Sequence, residues 1–191
     1  MPLFETVTNL IEGADRLRRR RYGMIEVAEG RFCRVVLRPL PKIVSGPGIS
    51  LLGQWRHRHR QGDSIRIFYD QPWRFPNFLA LKYAESTAGT SMGTLCRALA
   101  VLDEIARLKQ TDALLCDAAS DRITTRLLSR WGWEPHCPSW RHRHYIKRFY
   151  GVYPARPAWI LQCWLPSPAR GRGVGSEGGL SRFPARQLPS P

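Results

Sequence analysis

The sequence predicts an α/β fold, a mixed and mostly antiparallel sheet flanked by helices, and three observations carry that prediction. Residues 64–69 alternate apolar and polar as a half-buried strand does. Residues 94–109 place Leu95, Ala98, Leu99, Leu102, Ile105 and Ala106 on one helical face. Two mostly apolar runs, 78–83 and 113–116, bracket that helix, which is the order of a strand–helix–strand unit packed inside a sheet.

In chain order, Phe4, Val7, Leu10, Ile11, Ala14 and Leu17 recur at steps of three and four. They predict an amphipathic first helix ending in Arg18-Arg19-Arg20-Arg21 before Gly23. Cations there complement a helix C-terminus, a reading we prefer to a nucleic-acid patch. Strands follow at 24–28 and 31–38, joined by the turn pair Glu29-Gly30, and Pro39 and Pro41 close the second. A loop through Ser45-Gly46-Pro47-Gly48 leads to residues 51–60, whose type the pattern leaves open, and then to the strand at 64–69. Pro72 and Pro76 break the chain after it, and Trp73, Phe75 and Phe78 around them read as core plugs. The central strand at 78–83 runs into a loop at 85–93, with Ser91 or Thr94 capping the helix at 94–109. The strand at 113–116 ends at Asp117, and Ser120 or Asp121 caps a last helix with Ile123, Leu127 and Trp131 on one face. Gly132 sits where a left-handed C-terminal cap belongs, and a strand at 144–149 completes the sheet.

A chain of 191 residues suits one domain with a single core. Residues 1–153 are expected to form it, and 154–191, rich in Pro, Gly, Arg and Ser without an apolar period, a disordered basic tail. The apolar patch at 159–165 is far shorter than the ~20 residues of a membrane span. The first residues lack a basic stretch followed by an apolar one, so the cytoplasm is expected and no membrane. Five scattered cysteines read as reduced thiols; Cys96 and Cys116 act as small hydrophobes and none as a nucleophile.

The formal net charge is +15; five Arg and one Glu after residue 154 leave +11 on the body. That invites nucleic acid. Yet only four of the 30 basic residues are Lys, the usage of a GC-rich genome, and an anionic cofactor or substrate answers the charge equally well.

The segment Ala88-Gly89-Thr90-Ser91-Met92-Gly93-Thr94 supplies two glycines, three hydroxyls and the unpaired N–H groups of a helix start, which suits a phosphate. This order of elements resembles the second half of the GCN5-related N-acetyltransferases over about residues 64–150, most of all in Asp121-Arg-Ile-Thr-Thr-Arg-Leu-Leu-Ser-Arg-Trp-Gly-Trp-Glu134. Chain-wide, the sequence looks like a family of planctomycete-type bacterial proteins related to that fold. The resemblance implies an acyl-CoA N-acyltransferase-like domain. In that family a strand ends in a pyrophosphate-binding loop, a helix follows, and the next strand splays to admit pantetheine.

Carried over by position, Gly132-Trp133-Glu134 matches the family's Gly-Phe-Glu turn, and Asp121 stands where an Asn often contacts the cofactor. Gly89, Thr90, Ser91, Met92, Gly93 and Thr94 stand at the pyrophosphate loop without the family's Gln/Arg-x-x-Gly-x-Gly/Ala spacing. The tyrosine that often protonates the departing thiolate falls at Leu128, which has no proton to give; Tyr83, Tyr145 or water alone would replace it. Glu85, just past the central strand, is the candidate base for the attacking amine. The implied activity is transfer of an acetyl or other acyl group from acetyl-CoA or another acyl-CoA to an amine, with no metal.

Trp55-Arg-His-Arg-His59 and Trp140-Arg-His-Arg-His144 repeat the same five residues. Their histidines, near His136 and Cys137, have the chemistry of zinc ligands, but the interleaved arginines repel a cation and no structural-zinc spacing accompanies them, so no metal site is assigned. They read instead as a basic, aromatic rim: Arg56, Arg58, Arg60, Arg141, Arg143 and Arg148 with Trp55, Trp140 and Tyr145. That rim supports the alternative function, a catalytically inactive domain of the same fold binding nucleic acid or another anionic partner. The amine acceptor is expected between the first helix and the loop at 46–62.

Overall fold

The computed structural model describes residues 3–41, 62–118, 124–137 and 143–162. Among these, the strands are β1 (Glu5–Val7), β2 (Tyr22–Ala28), β3 (Arg31–Arg38), β4 (Ser64–Asp70), β5 (Phe78–Ser86), β6 (Ala113–Asp117), β7 (Glu134–Pro135) and β8 (His144–Arg148). They form one sheet in the order β1-β3-β2-β4-β5-β6-β8-β7. Neighbours are antiparallel except β5 and β6, so the sheet is mixed and mostly antiparallel, as expected. The helices are α1 (Ala14–Arg19), α2 (Met92–Lys109), α3 (Thr125–Ser129) and α4 (Ala158–Gln162).

The expected first helix is replaced in its first half by β1, whose Val7 pairs with Val35 of β3. Asn9 makes the turn: its Oδ1 accepts the Ile11 N–H at 3.0 Å and its carbonyl accepts the Gly13 N–H at 2.9 Å. A Cβ on Gly13 would sit 3.0 Å from that carbonyl, so the chain closes tightly here before α1 begins. Val7, Leu10 and Leu17 are all buried, which shows that a strand, a turn and a short helix can meet the same three-and-four spacing. The arginine run works structurally: Arg20 pairs with Glu5, and Arg18 Nε donates to the Leu108 carbonyl at the end of α2 (3.1 Å).

β3 has the bounds the alternation predicts, and Glu29-Gly30 turns with φ of 51° and 65°, the left-handed pair of a tight hairpin. α2 starts two residues before the predicted position because Ser91 is the cap, its Oγ accepting the Thr94 N–H at 3.2 Å. Its far end stops at Gln110, left-handed at φ 55°, and Lys109 Nζ reaches back to the Arg20 carbonyl (2.7 Å) and Gln71 Oε1 (3.0 Å). Burial, with Arg21 nearby, lowers that amine to about 8. α2 lies across β2, β3 and β4 with α1 beside it, and buries Ala98, Leu102 and Ile105.

The caps proposed at Ser120 or Asp121 lie outside the described residues. α3 begins at Thr125, later than the pattern predicts, and is capped by Thr124, whose Oγ1 accepts the Leu127 N–H at 3.2 Å. Gly132, at φ 78°, closes it as expected, and the Trp133 N–H returns to the Leu128 carbonyl at 3.1 Å.

Trp73 and Phe75 are not core plugs: they are 73% and 60% exposed. Both sit on the tight connection from β4 to β5, where Trp73 lies under the Arg21 guanidinium (3.9 Å) and donates to the Tyr22 hydroxyl (3.0 Å). The packed body also runs past residue 153. Arg156 pairs with Glu104 of α2 at 2.8 Å, Arg97 covers the Trp159 ring at 4.2 Å, and Ile160 is buried. Residues 163–191 lie outside the described part. None of the described helices is long and apolar enough to cross a membrane.

Candidate functional site

Of the sequence-predicted residues, Tyr83 and Glu85 lie on β5, and Gly89 to Thr94 span the loop after it and the start of α2. On its β4 side this strand is paired from Ala80 to Ser86; on its β6 side the parallel ladder covers only Phe78 to Leu81, opposite Ala113 to Cys116. β6 then ends at Asp117, and the Ala118 N–H bonds the Arg143 carbonyl on β8's side at 2.9 Å. The two parallel strands therefore part just past Leu81 and Cys116. At the same level the β4 ladder steps from Phe68↔Tyr83 to Tyr69↔Leu81, leaving Lys82 as an extra residue. Such a bulge bends the strand and re-aims its backbone.

The bulge also decides which way the candidate catalytic side chains face. Ile65, Ile67 and Tyr69 of β4 join the core under α2, so their cross-strand partners Ser86, Ala84 and Leu81 share that side. Tyr83 and Glu85 lie on the other side, away from α2. Tyr83 ends the row Val36–Met24–Phe68–Tyr83 and stands 6.1 Å, ring to ring, from Phe68. Glu85 ends the row Arg34–Glu26–Arg66–Glu85, where charges alternate across four strands. Glu26 takes Arg66 on one oxygen (2.6 Å) and Arg34 on the other (2.7 Å). Burial alone would raise its carboxyl; the two arginines more than offset this and hold it below the ordinary carboxylate value.

The loop after β5 is more occupied than its composition suggests. The Thr87 hydroxyl bonds the Gly62 carbonyl and accepts the Ser64 N–H (3.0 Å), and the Thr90 hydroxyl lies 2.8 Å from the Ser64 carbonyl. Thr94 is buried and accepts the Gly30 N–H from the β2–β3 turn at 2.8 Å. Asp63 accepts both the Ser91 N–H (2.8 Å) and its hydroxyl (2.7 Å). Those bonds, the Ser91 amide first, hold the Asp63 carboxyl below its ordinary value. Gly89 packs against the Gly62 carbonyl, 2.9 Å from where a Cβ would stand. Gly93 is open, with only Ser91 Oγ at 3.8 Å from such a Cβ, and Met92 is exposed beside it. The first-turn amides of Met92 and Gly93 are thus the donors best placed to meet an anion.

Asp121 lies outside the described residues, as do Trp55 to Arg60 and Trp140 to His142. Leu128 is buried in α3. Tyr145 is buried too, its hydroxyl 2.8 Å from Thr125 Oγ1, beside Cys116 in the β6–β8 ladder. Burial and Asp117 push the Cys116 thiol up to about 12, which suits a packing role. His144 of the second repeat lies 3.9 Å from Asp117. Sequence reasoning missed Asp63 and Lys82. Asp63 precedes a strand and resembles any loop carboxylate until β4 pairs with β5; Lys82 sits in a run, Phe78-Leu-Ala-Leu-Lys-Tyr83, that reads as unbroken.

No protein-family description and no curated protein matches the chain. Among solved structures it is similar to the crystal structure of a nourseothricin acetyltransferase at 11% identity, covering 77% of this chain and 99% of that one, with a TM-score of 0.38. A likeness that remote carries no argument about chemistry.

Proposed function

We propose that the chain is an acyl-CoA-dependent N-acyltransferase, similar in plan to the GCN5-related enzymes, that transfers an acetyl or other acyl group to an amine. The observation that carries this reading is the parting of β5 from β6 beside the Lys82 bulge, immediately ahead of the loop that opens α2. A thioester lying in that opening meets re-aimed strand backbone at its carbonyl, and its diphosphate lies toward the amides of Met92 and Gly93.

Within Gly89, Thr90, Ser91, Met92, Gly93 and Thr94, the threonines and Ser91 hold the loop's shape, while the exposed first turn of α2 holds the anion. Asp121 is a further cofactor contact in this reading. Glu85 removes a proton from the amine, the amine nitrogen bonds the acyl carbon, and the carbon–sulfur bond breaks. The leaving thiolate takes a proton from Tyr83, on the same side of the sheet as Glu85, or from water. The Asp63 carboxylate at the loop opposes the phosphate charge, so tight binding needs the basic surface around it.

Titration of acetyl-CoA into the full chain by calorimetry tests the proposal. Micromolar affinity is expected, lost in a Gly93→Glu variant that places a carboxylate over the α2 amides. A folded wild type that takes up no acetyl-CoA sinks the reading and returns the rim-binding alternative, which a salt series against single-stranded nucleic acid then addresses.

A further inference from the structure

On the side of the sheet away from α2, a hollow of about 480 Å³ opens over the paired halves of β5 and β6. Its floor is Phe78, Leu115 and Ile146, and Phe75 and Tyr150 form walls. Phe75 and Tyr150 are 60% and 72% exposed, so two large rings surround a cavity instead of filling it. Leu115 pairs with Ala80, one residue short of the last parallel pair, Leu81↔Cys116. The hollow therefore begins directly below the point where β5 and β6 part and the Lys82 bulge lies. Its charged lining is already engaged in part: Arg148 is paired with Glu134. Size, apolar floor and few polar groups are those of a pocket for an apolar group, and the volume exceeds what a two-carbon acyl group fills.

Resting on the acyltransferase reading, we infer that this hollow receives the apolar chain of the transferred acyl group, so that the preferred donor carries an acyl group longer than acetyl. From a thioester beside Lys82 the chain runs down over Ala80 and Leu115 toward Phe78, with Phe75 and Tyr150 closing on it. No covalent step beyond the transfer itself is involved.

The test is a calorimetric series on the full chain with CoA, acetyl-CoA, butyryl-CoA and hexanoyl-CoA, repeated with Phe75→Asp. Phe75 is exposed, so the variant folds, and its carboxylate stands at the hollow's wall. Affinity is expected to climb about two- to fourfold per added methylene in the wild type, and to go flat in Phe75→Asp while CoA itself binds unchanged. A wild-type series that is flat although CoA binds overturns the hollow as the acyl site and leaves the acyltransferase reading standing. A climb that Phe75→Asp does not touch overturns it as well, since the chain then lodges elsewhere. Failure of CoA and all its thioesters to bind removes both inferences together.

Discussion

The two edges of β5 are built differently. Toward β4 it is a long antiparallel partner, interrupted once at Lys82; toward β6 it is a parallel partner for four positions and then diverges. The well-paired lower half carries Leu79, fully buried and opposite Leu114. The upper half carries Lys82 and Ala84, both exposed, then Glu85. One strand thus anchors the core at its start and forms the wall of an opening at its end. A single register step separates the two roles, so stability and chemistry respond to different substitutions.

Deleting Lys82 makes the sharpest break in that contrast. It removes the bulge and leaves Leu81 and Tyr83 adjacent, opposite Tyr69 and Phe68, so the ladder runs regular and loses the bend that re-aims its backbone at the opening. Acyl transfer to a panel of amines is expected to fall by about 10²-fold, the cost of misplacing the reacting groups by an ångström. A cooperative thermal transition should survive; a deletion that keeps the full rate would take the bulge out of the mechanism.

Leu79→Ala against Ala84→Ser comes next. The first leaves a cavity between sheet and α2 and is expected to cost about 2–5 kcal/mol; the second, on the exposed upper half, should stay within about 0.5 kcal/mol. Urea titration reads both, and equal losses would show that the upper half is packed as tightly as the lower.

Asp63→Asn sharpens the comparison at the loop. Removing a carboxylate from the α2 start should tighten acetyl-CoA binding about two- to fivefold, in line with a charge–dipole interaction of 0.3–1 kcal/mol. Calorimetry with the variant measures it, and unchanged affinity would place the diphosphate away from Met92 and Gly93.

The smallest effect is acid sensitivity of the same loop. The Asp63 carboxyl titrates lower in the folded chain than its ordinary 3.8, so its contribution is fully present above that value. It is lost as pH falls through the folded value. Amide exchange at Ser91 should quicken below about pH 3.8 in the wild type and show no such step in Asp63→Asn; a step common to both would assign it to another carboxylate.

Much of the fold was readable because its signals are local. The Ser91 cap and the apolar face of α2 lie within one helix, and the Glu29-Gly30 turn and Gly132 cap need only their own backbone angles. β1 was hidden because Val7, Leu10 and Leu17 fit a helical period and a strand–turn–helix alike. The exposure of Trp73 and Phe75 was hidden because large rings near prolines read as core, whereas these lie on a short connection at the sheet's end. Of the candidate site, Glu85 and Tyr83 lie on one side of the sheet, and the residues after β5 lead into α2.

By itself the sequence determined β2 to β6, β8 and α2, the hydroxyl-rich entry to α2 and the glycine-closed end of α3, since propensity, capping and turn chemistry act over a few residues. Tertiary structure alone decided that Lys82 is a bulge, that β6 leaves β5 after four pairs, that Asp63 occupies the Ser91 amide 28 residues away, and that a hollow opens over Leu115. Each of these depends on which strand lies beside which, and strand register is settled by packing between distant parts of the chain, where no local pattern records it.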